Sequence, residues 1–174
     1  MKPGLSIWGL FLGLIAGFSG ACGYHWVGGI TDVPPDIRSV AIPIFINRTL
    51  EEGIESQMTR ALVEKFTSAQ RIPVLSEEGA ETVLLGSVKA FVTTPITVTL
   101  QAQTVTEYRA TMVIEFVLKR KSDGKVLRSE EIQEWRNYPV AANLAVTDLN
   151  KREAIQKITV LLAERIHEAV LTNF

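Results

Sequence analysis

Residues that commonly carry chemistry are scarce in this chain. It has one cysteine, Cys22, and two histidines, His25 and His167. A lone thiol excludes an intramolecular disulfide, and no Cys/His set has the spacing of a zinc site. Neither sign of charge is in excess: 18 basic and 19 acidic residues leave a net charge of −1. That balance supplies no electrostatic footprint for nucleic acid. There is no G-x-S-x-G elbow, no H-E-x-x-H helix and no glycine-rich phosphate loop. Glu130, Glu131 and Glu134 are close in sequence, but a strand sends them to alternating faces. These absences imply no metal and no cofactor, and they make an enzyme the poor hypothesis. Internal repeats and low-complexity tracts are missing too.

A long hydrophobic run is also lacking. Leu5 to Phe18 is apolar for 14 residues and is interrupted by Gly9, Gly13 and Gly17. A spanning helix needs about 20, so a secretory signal fits better than a permanent membrane span. Lys2 supplies the positive start, and Ser19, Gly20 and Ala21 lead small-residue-first into Cys22. This is the arrangement of a bacterial lipoprotein. The thiol takes a diacylglycerol, Ala21-Cys22 is cut, and the new N-terminus is acylated. Ser19 stands where leucine is commonest, which leaves ordinary cleavage with a free thiol as the alternative. Three acyl chains hold a protein firmly where one holds marginally. Gly23, with no aspartate after the cysteine, points to the outer membrane of a Gram-negative cell, periplasmic side. The expected division is therefore 1–21 signal peptide, 22–36 flexible tether, and 37–174 a single domain. The tether carries Pro34-Pro35, and Tyr24 and Trp26 suit either a membrane interface or packing on the domain.

Periodicity then gives the order of elements. Arg38 to Asn47 reads as a strand with Val40, Ile42, Ile44 and Ile46 on one face, at an edge or irregular because of Pro43. Thr49 and Glu52 spell a capping box. The helix behind it carries Leu50, Ile54, Met58, Ala61, Leu62 and Phe66 on one stripe and stops near Ala69. Ile72 to Leu75 reads as a short strand. Thr82 to Thr93 alternates, with Leu84, Val88, Ala90 and Val92 against Val83, Leu85, Ser87, Lys89 and Phe91. Val105 to Arg120 has an unbroken apolar face from Tyr108 to Leu118. Asp123-Gly124 signals a hairpin. The returning strand, Val126 to Tyr138, places Ile132 and Trp135 at opposite parity, which a bulge would reconcile. Pro139 to Asp148 reads as a loop, and Asn150 with Glu153 as a cap for a last helix to Leu171. Its stripe is Ile155, Ile158, Leu162, Ile166 and Ala169, with His167 read as a surface or boundary residue.

The fold class that satisfies this order is α+β. It is a two-layer sandwich: a mixed, mainly antiparallel sheet of about four strands, with two helices packed on one face. The sheet's other face is half apolar (Val83, Leu85, Phe91, Val105, Val113, Val117), which suits either a tolerated solvated face or a docking surface. Lys119, Arg120, Lys121, Lys125 and Arg128 surround the hairpin turn. They either grip phosphates of a lipid headgroup or blunt an exposed hairpin against aggregation.

Cys22-Gly23-Tyr24-His25, Val40-Ala41-Ile42-Pro43, Asn47-Arg48-Thr49, Thr106-Glu107-Tyr108 and Asn137-Tyr138-Pro139, in that order and spacing, resemble the LptE family of lipopolysaccharide-assembly lipoproteins. The resemblance implies a plug inside the outer-membrane β-barrel LptD, assisting its assembly and the insertion of lipopolysaccharide. The partners it implies are that barrel, lipopolysaccharide and the membrane through a lipid anchor at Cys22, with no nucleic acid. It also implies basic lipopolysaccharide contacts in two loops, yet 94–104 and 140–147 contain no lysine or arginine. Lys89, Arg109 and Arg136 are the substitutes if they lie close in space, beside Lys119, Arg120 and Lys121. A rival resemblance, through Val40 to Thr49, is to envelope lipoproteins that activate peptidoglycan synthases or form curli-type secretion pores.

Overall fold

The computed structural model describes residues 37–99 and 104–172. The signal, Cys22 and the tether lie outside the described residues. Two short strands, β1 (Val40–Ala41) and β2 (Ile46–Asn47), precede a helix, α1 (Ile54–Ala69). Three long strands follow: β3 (Thr82–Thr99), β4 (Thr104–Arg120) and β5 (Val126–Pro139). The helix α2 (Leu144–Leu171) closes the order. The sheet runs β1-β3-β4-β5, with β2 on the same flank of β3 as β1. β1 and β2 are parallel to β3, and the long strands are antiparallel to one another. The α+β class, the mixed sheet and the two helices on one face follow the sequence reading, with the first strand divided in two.

β4 is the reason the layers hold. Ala110, Met112, Ile114, Phe116 and Leu118 alternate with half-exposed residues and are fully buried. Strict period-two alternation gives the strand one wholly apolar face, which has to be covered. α1 covers it with Ile54, Met58, Leu62 and Phe66, and α2 with Ile155, Ile158, Leu162 and Ile166. Burying each such side chain contributes about 1.5–3 kcal/mol relative to leaving it in water.

Several sequence expectations are corrected. The first strand does not keep one parity. The chain leaves the ladder after Ala41 and rejoins it only at Ile46, and Ile44 and Ile46 are exposed while Phe45 turns into the core. Its ring lies over Gly86, where an added Cβ would stand only 2.1 Å from a ring carbon. The gap left by a missing side chain on β3 is therefore filled from the edge. The capping box does not form either. Asn47 Oδ1 accepts from the backbone N and hydroxyl of Thr49, both at 2.8 Å, and Thr49 Oγ1 accepts from the Glu51 backbone at 3.2 Å. That hydroxyl is spent holding a turn, so α1 starts later, after Gly53 at φ +76°, and Leu50 is fully exposed. The segment around Val74 makes a single bridge to Val40 rather than a strand.

Lys89 is an extra residue between the pairs Val88–Ile114 and Ala90–Val113. This bulge flips the parity of the residues from Ala90 to Pro95, where the register shifts again. Phe91 turns toward the helices, opposite Met112, and Ala90 and Val92 move to the other face. β3 also runs on through Pro95 to Thr99, because on that flank no described strand continues past β2 to need a proline N–H. No bulge reconciles Ile132 with Trp135: their pairing with β4 is continuous, so Ile132 is buried and Trp135 exposed. The irregularity sits instead at Leu127. The last helix begins six residues early, at Leu144. Asn143 Oδ1 caps it by accepting from Ala145 N at 2.9 Å, and Asn150 lies within the helix, donating to the Pro139 carbonyl at 3.0 Å.

His167 is not a surface residue. It is 6% exposed and meets the Phe66 ring edge-on at 4.9 Å. Burial pushes its pKa down, and the charges of Lys65 and Arg71 push the same way. The folded state thus resists protonation that the unfolded chain accepts at its ordinary pKa, about 6.5. The associated stability is whole above that value and is lost as pH falls toward the folded pKa. Urea midpoints should therefore drop between pH 7 and pH 5, and His167→Phe should flatten that slope; an unchanged slope would contradict the burial. Separately, Gly86→Ala should cost about 1–3 kcal/mol by overpacking. Adding Phe45→Leu should recover part of the loss, whereas no recovery would mean that the ring is not what the new methyl meets.

Candidate functional site

Two surfaces remain after the core is accounted for: the sheet face turned away from the helices, and the end of the domain where β3 meets β4. Cross-strand pairs define the sheet face. Rows run Leu85–Val117–Ser129, Ser87–Glu115–Glu131, Ala90–Val113–Gln133 and Val92–Thr111–Trp135. Leu85, Val92 and Trp135 are exposed large apolar side chains. The sequence reading counted Phe91 here; the bulge removes it and supplies Ala90 and Val92. Trp135 was missed, and its mismatch with Ile132 was the available signal.

One charged row crosses this face. Glu115 and Glu131 sit directly opposite each other, a destabilising like-charge pair. The bulge aims Lys89 at them: its Nζ lies 2.5 Å from Glu131 Oε2. The hydrogen bond to Glu131, its charge and that of Glu115 raise the Lys89 pKa. Lys89 is thus engaged in neutralising the acidic row.

The other candidate cations do not converge with it. Arg109 lies four residues from Val113 along β4, roughly 13 Å at strand rise. Its guanidinium sits 4.1 Å above the Trp135 ring centroid, and Nε donates to Asn137 Oδ1 at 3.1 Å. Arg136 pairs with the buried Ala110 and so belongs to the helix side, donating to the Trp135 carbonyl at 2.8 Å. Lys119, Arg120 and Lys121 do share the far end of the sheet but divide between its faces. Lys119 pairs with Val83 on the open face, and Arg120 pairs with the buried Thr82. Arg120 Nη1 meets Asp123 at 3.0 Å, Lys121 Nζ donates to the Glu77 carbonyl, and Arg128 meets Glu130. Asp123 has a lowered pKa, chiefly because it accepts from the Lys125 backbone, with Arg120 adding to it. The Asp-Gly turn is thereby stitched by its own charges, with Gly124 at φ +69°.

A shallow cleft of about 370 Å³ joins Arg48, Leu50, Glu51, Lys89, Phe91 and Lys151 at the outer edge of β3. Lys151 Nζ is 2.5 Å from Glu51 Oε2, so much of its charge is matched. Among the described residues no three His, Cys, Asp or Glu are placed to hold a metal ion. No described helix is long and apolar enough to cross a membrane.

The second surface was read as loops. The described part of this end carries Ile96 on β3 and Leu144, Val146 and Leu149 on the first turns of α2, with Leu144 82% and Leu149 62% exposed. Val140 N donates to the Thr106 carbonyl at 2.9 Å, fastening the two segments together. Tyr108 and Tyr138 stack at 5.8 Å just behind them. Apolar residues that fit no amphipathic stripe were the signal here.

Comparison with known proteins adds the lineage. The model of a lipopolysaccharide-assembly family, LptE, matches residues 37–170. No curated protein matches by sequence. Among solved structures, a lipoprotein from Caulobacter crescentus CB15 superposes with a TM-score of 0.56 at 12% identity, covering 78% of this chain and 90% of that one. The lipoprotein B of Nitrosomonas europaea gives 0.55 at 16%, covering 83% and 87%. The rare lipoprotein B of Shewanella oneidensis gives 0.53 at 15%, covering 74% and 91%. At such identities these likenesses show a shared fold.

Proposed function

This chain belongs to the LptE family of lipopolysaccharide-assembly proteins, and from that premise we propose that it is an outer-membrane lipoprotein that plugs a β-barrel of the LptD kind. In this reading it helps the barrel assemble and helps lipopolysaccharide reach the cell surface. The signal peptide is removed at Ala21, Cys22 carries the lipid anchor, and residues 22–36 tether a single domain beginning at 37.

The observation that carries the proposal is the uncovered sheet face. Leu85 and Val117 on one side and Val113, Val92 and Trp135 on the other make two apolar patches, divided by the row of Lys89, Glu115 and Glu131 and bordered by Arg109 and Lys119. Apolar patches left uncovered on either side of a row of matched charges suit a protein interface. A barrel lumen is a wall of strands, and a twisted sheet is a suitable shape to lie against one. The role asks for holding and positioning, and needs no catalytic centre. Of the cations proposed to contact lipopolysaccharide, Lys119, Arg120 and Lys121 share one end of the sheet. Lys89, Arg109 and Arg136 do not form a common site and act singly if they act.

The test is affinity purification of the tagged mature protein in detergent. A β-barrel outer-membrane protein should co-purify, and Val113→Asp should reduce its recovery about tenfold, the factor for 1.4 kcal/mol. Recovery of cell-wall synthases alone would favour the rival lipoprotein class and overturn the proposal.

A further inference from the structure

The two edges of the sheet are finished differently. On β5 two backbone carbonyls are taken by guanidiniums. Arg165 Nη1 donates to the Gln133 carbonyl at 3.0 Å, and Arg136 Nη1 to the Trp135 carbonyl at 2.8 Å. Residues two apart send their carbonyls to the same side of a strand, so cations blunt this edge. Glu134 holds Arg165 in place at 2.7 Å. The outer edge of β3 has no such cover. β2 accompanies it only to Val88, whose carbonyl accepts from Arg48 N at 3.0 Å. From Ala90 to Thr94, β4 is the only hydrogen-bonded neighbour among the described residues. The open stretch is bounded by the bulge at Lys89 and by Pro95, which has no N–H to offer.

We infer that the edge of β3 from Ala90 to Thr94 receives an extended segment of a partner protein as an added strand, with an acidic side chain toward Arg48 and Lys89 and an apolar one against Phe91 and Leu50. This contact is independent of whatever the open face meets. Three observations select the occupant. First, a row of backbone N–H and C=O groups is matched, donor for acceptor, by another strand. A headgroup phosphate answers only the N–H groups, and hydrocarbon answers neither. Second, the cleft at this edge is lined by Arg48, Lys89 and Lys151 against one carboxylate, Glu51. Glu51 answers Lys151 and Glu131 answers Lys89, while Arg48 has no carboxylate partner among the described residues. Arg48 is close enough for its charge to act on Lys89. An acid arriving on the added strand relieves that repulsion. A second copy of this chain would bring like charges to the same edge. Third, Leu50 is fully exposed in the same cleft as Phe91, whose ring lies 5.5 Å from Lys151 Nζ. A lone exposed leucine is ordinary, but one beside an open backbone edge gives an added strand its apolar contact.

The bulge gives this edge its two-sided character. It turns Lys89 and Val92 to the open face and Phe91 to the helix side. Side chains of an added strand alternate in the same way, so one set passes Lys89 and the other passes Phe91. The open stretch is short and main-chain pairing alone is weak there. Specificity therefore comes from an acid and an apolar residue at adjacent positions.

The test uses a fluorescent peptide of alternating valine and glutamate, Val-Glu-Val-Glu-Val-Glu-Val, titrated into the whole protein in neutral detergent while backbone amides are followed by NMR. The peptide should bind, protecting amides between Ala90 and Thr94 from exchange and leaving those of β5 unchanged. Arg48→Glu and Leu50→Ser, both at exposed side chains, should each weaken binding about tenfold while the rest of the amide spectrum keeps its folded pattern. Two further peptides are N-methylated on one or the other alternate set of amides. They keep the charge but lose a row of donors, and at least one should fail to bind. Binding by both would show that charge alone holds the peptide and would overturn the inference. So would equal binding of a valine–lysine peptide, no binding of the valine–glutamate peptide, or protection that appears on β5 instead. Phosphatidylglycerol vesicles that displace the peptide would assign the cations to an anionic lipid surface. Protection of Ala90 to Thr94 that rises with protein concentration and no peptide would assign the edge to a second copy. Either outcome contradicts the proposal.

Discussion

Everything in this domain depends on one strand having one apolar face. β4 runs through the middle of the sheet and buries Ala110, Met112, Ile114, Phe116 and Leu118 without interruption. Both helices are positioned by that face, and each spends its own stripe on it. The consequence for function is what the helices leave over. They cover one side of the sheet only, so the opposite face keeps its valines, Leu85 and Trp135 at the surface. The two ends of the sheet project beyond the core and are free to differ in charge.

That difference organises the proposed function. Cations near the hairpin turn are held by Asp123, Glu130 and the Glu77 carbonyl, and Lys89 answers an acidic pair on the open face. Exposed pairs of this kind stabilise little; their use is to keep one end and one row polar. At the opposite end the charges are fewer: Glu107, which accepts from the Thr97 hydroxyl at 3.3 Å, and Asp148, which pairs with Arg152. In the proposed arrangement the open face meets a barrel wall, and the anchor at Cys22 fixes the membrane where that happens.

The fold class was legible because period-two and 3.6-residue patterns are statements about burial, and burial dominates here. Ile54, Met58, Leu62 and Phe66 on α1, and the whole apolar face of β4, were readable for that reason. What failed was local and geometric. Parity cannot announce a one-residue bulge, so Phe91 and Val92 were assigned to the wrong faces. A T-x-x-E sequence does not reveal that Asn47 has already engaged the Thr49 hydroxyl. Phe45 over Gly86 joins two segments about forty residues apart, and no local pattern encodes it. The surfaces were half visible. An apolar open face followed from alternation, but Leu144 and Val146 fell within the Pro139–Asp148 loop reading, and Leu149 outside the helical stripe, because they match no amphipathic pattern. They match none because they do not face the protein.

Site-specific photocrosslinking in intact cells tests the role of the open face most directly, with the reactive side chain placed at Val113 or at Ser122. The account predicts a protein adduct of barrel size from Val113 and none from Ser122. The same soluble partner captured from both positions, or no barrel adduct from Val113, would contradict it.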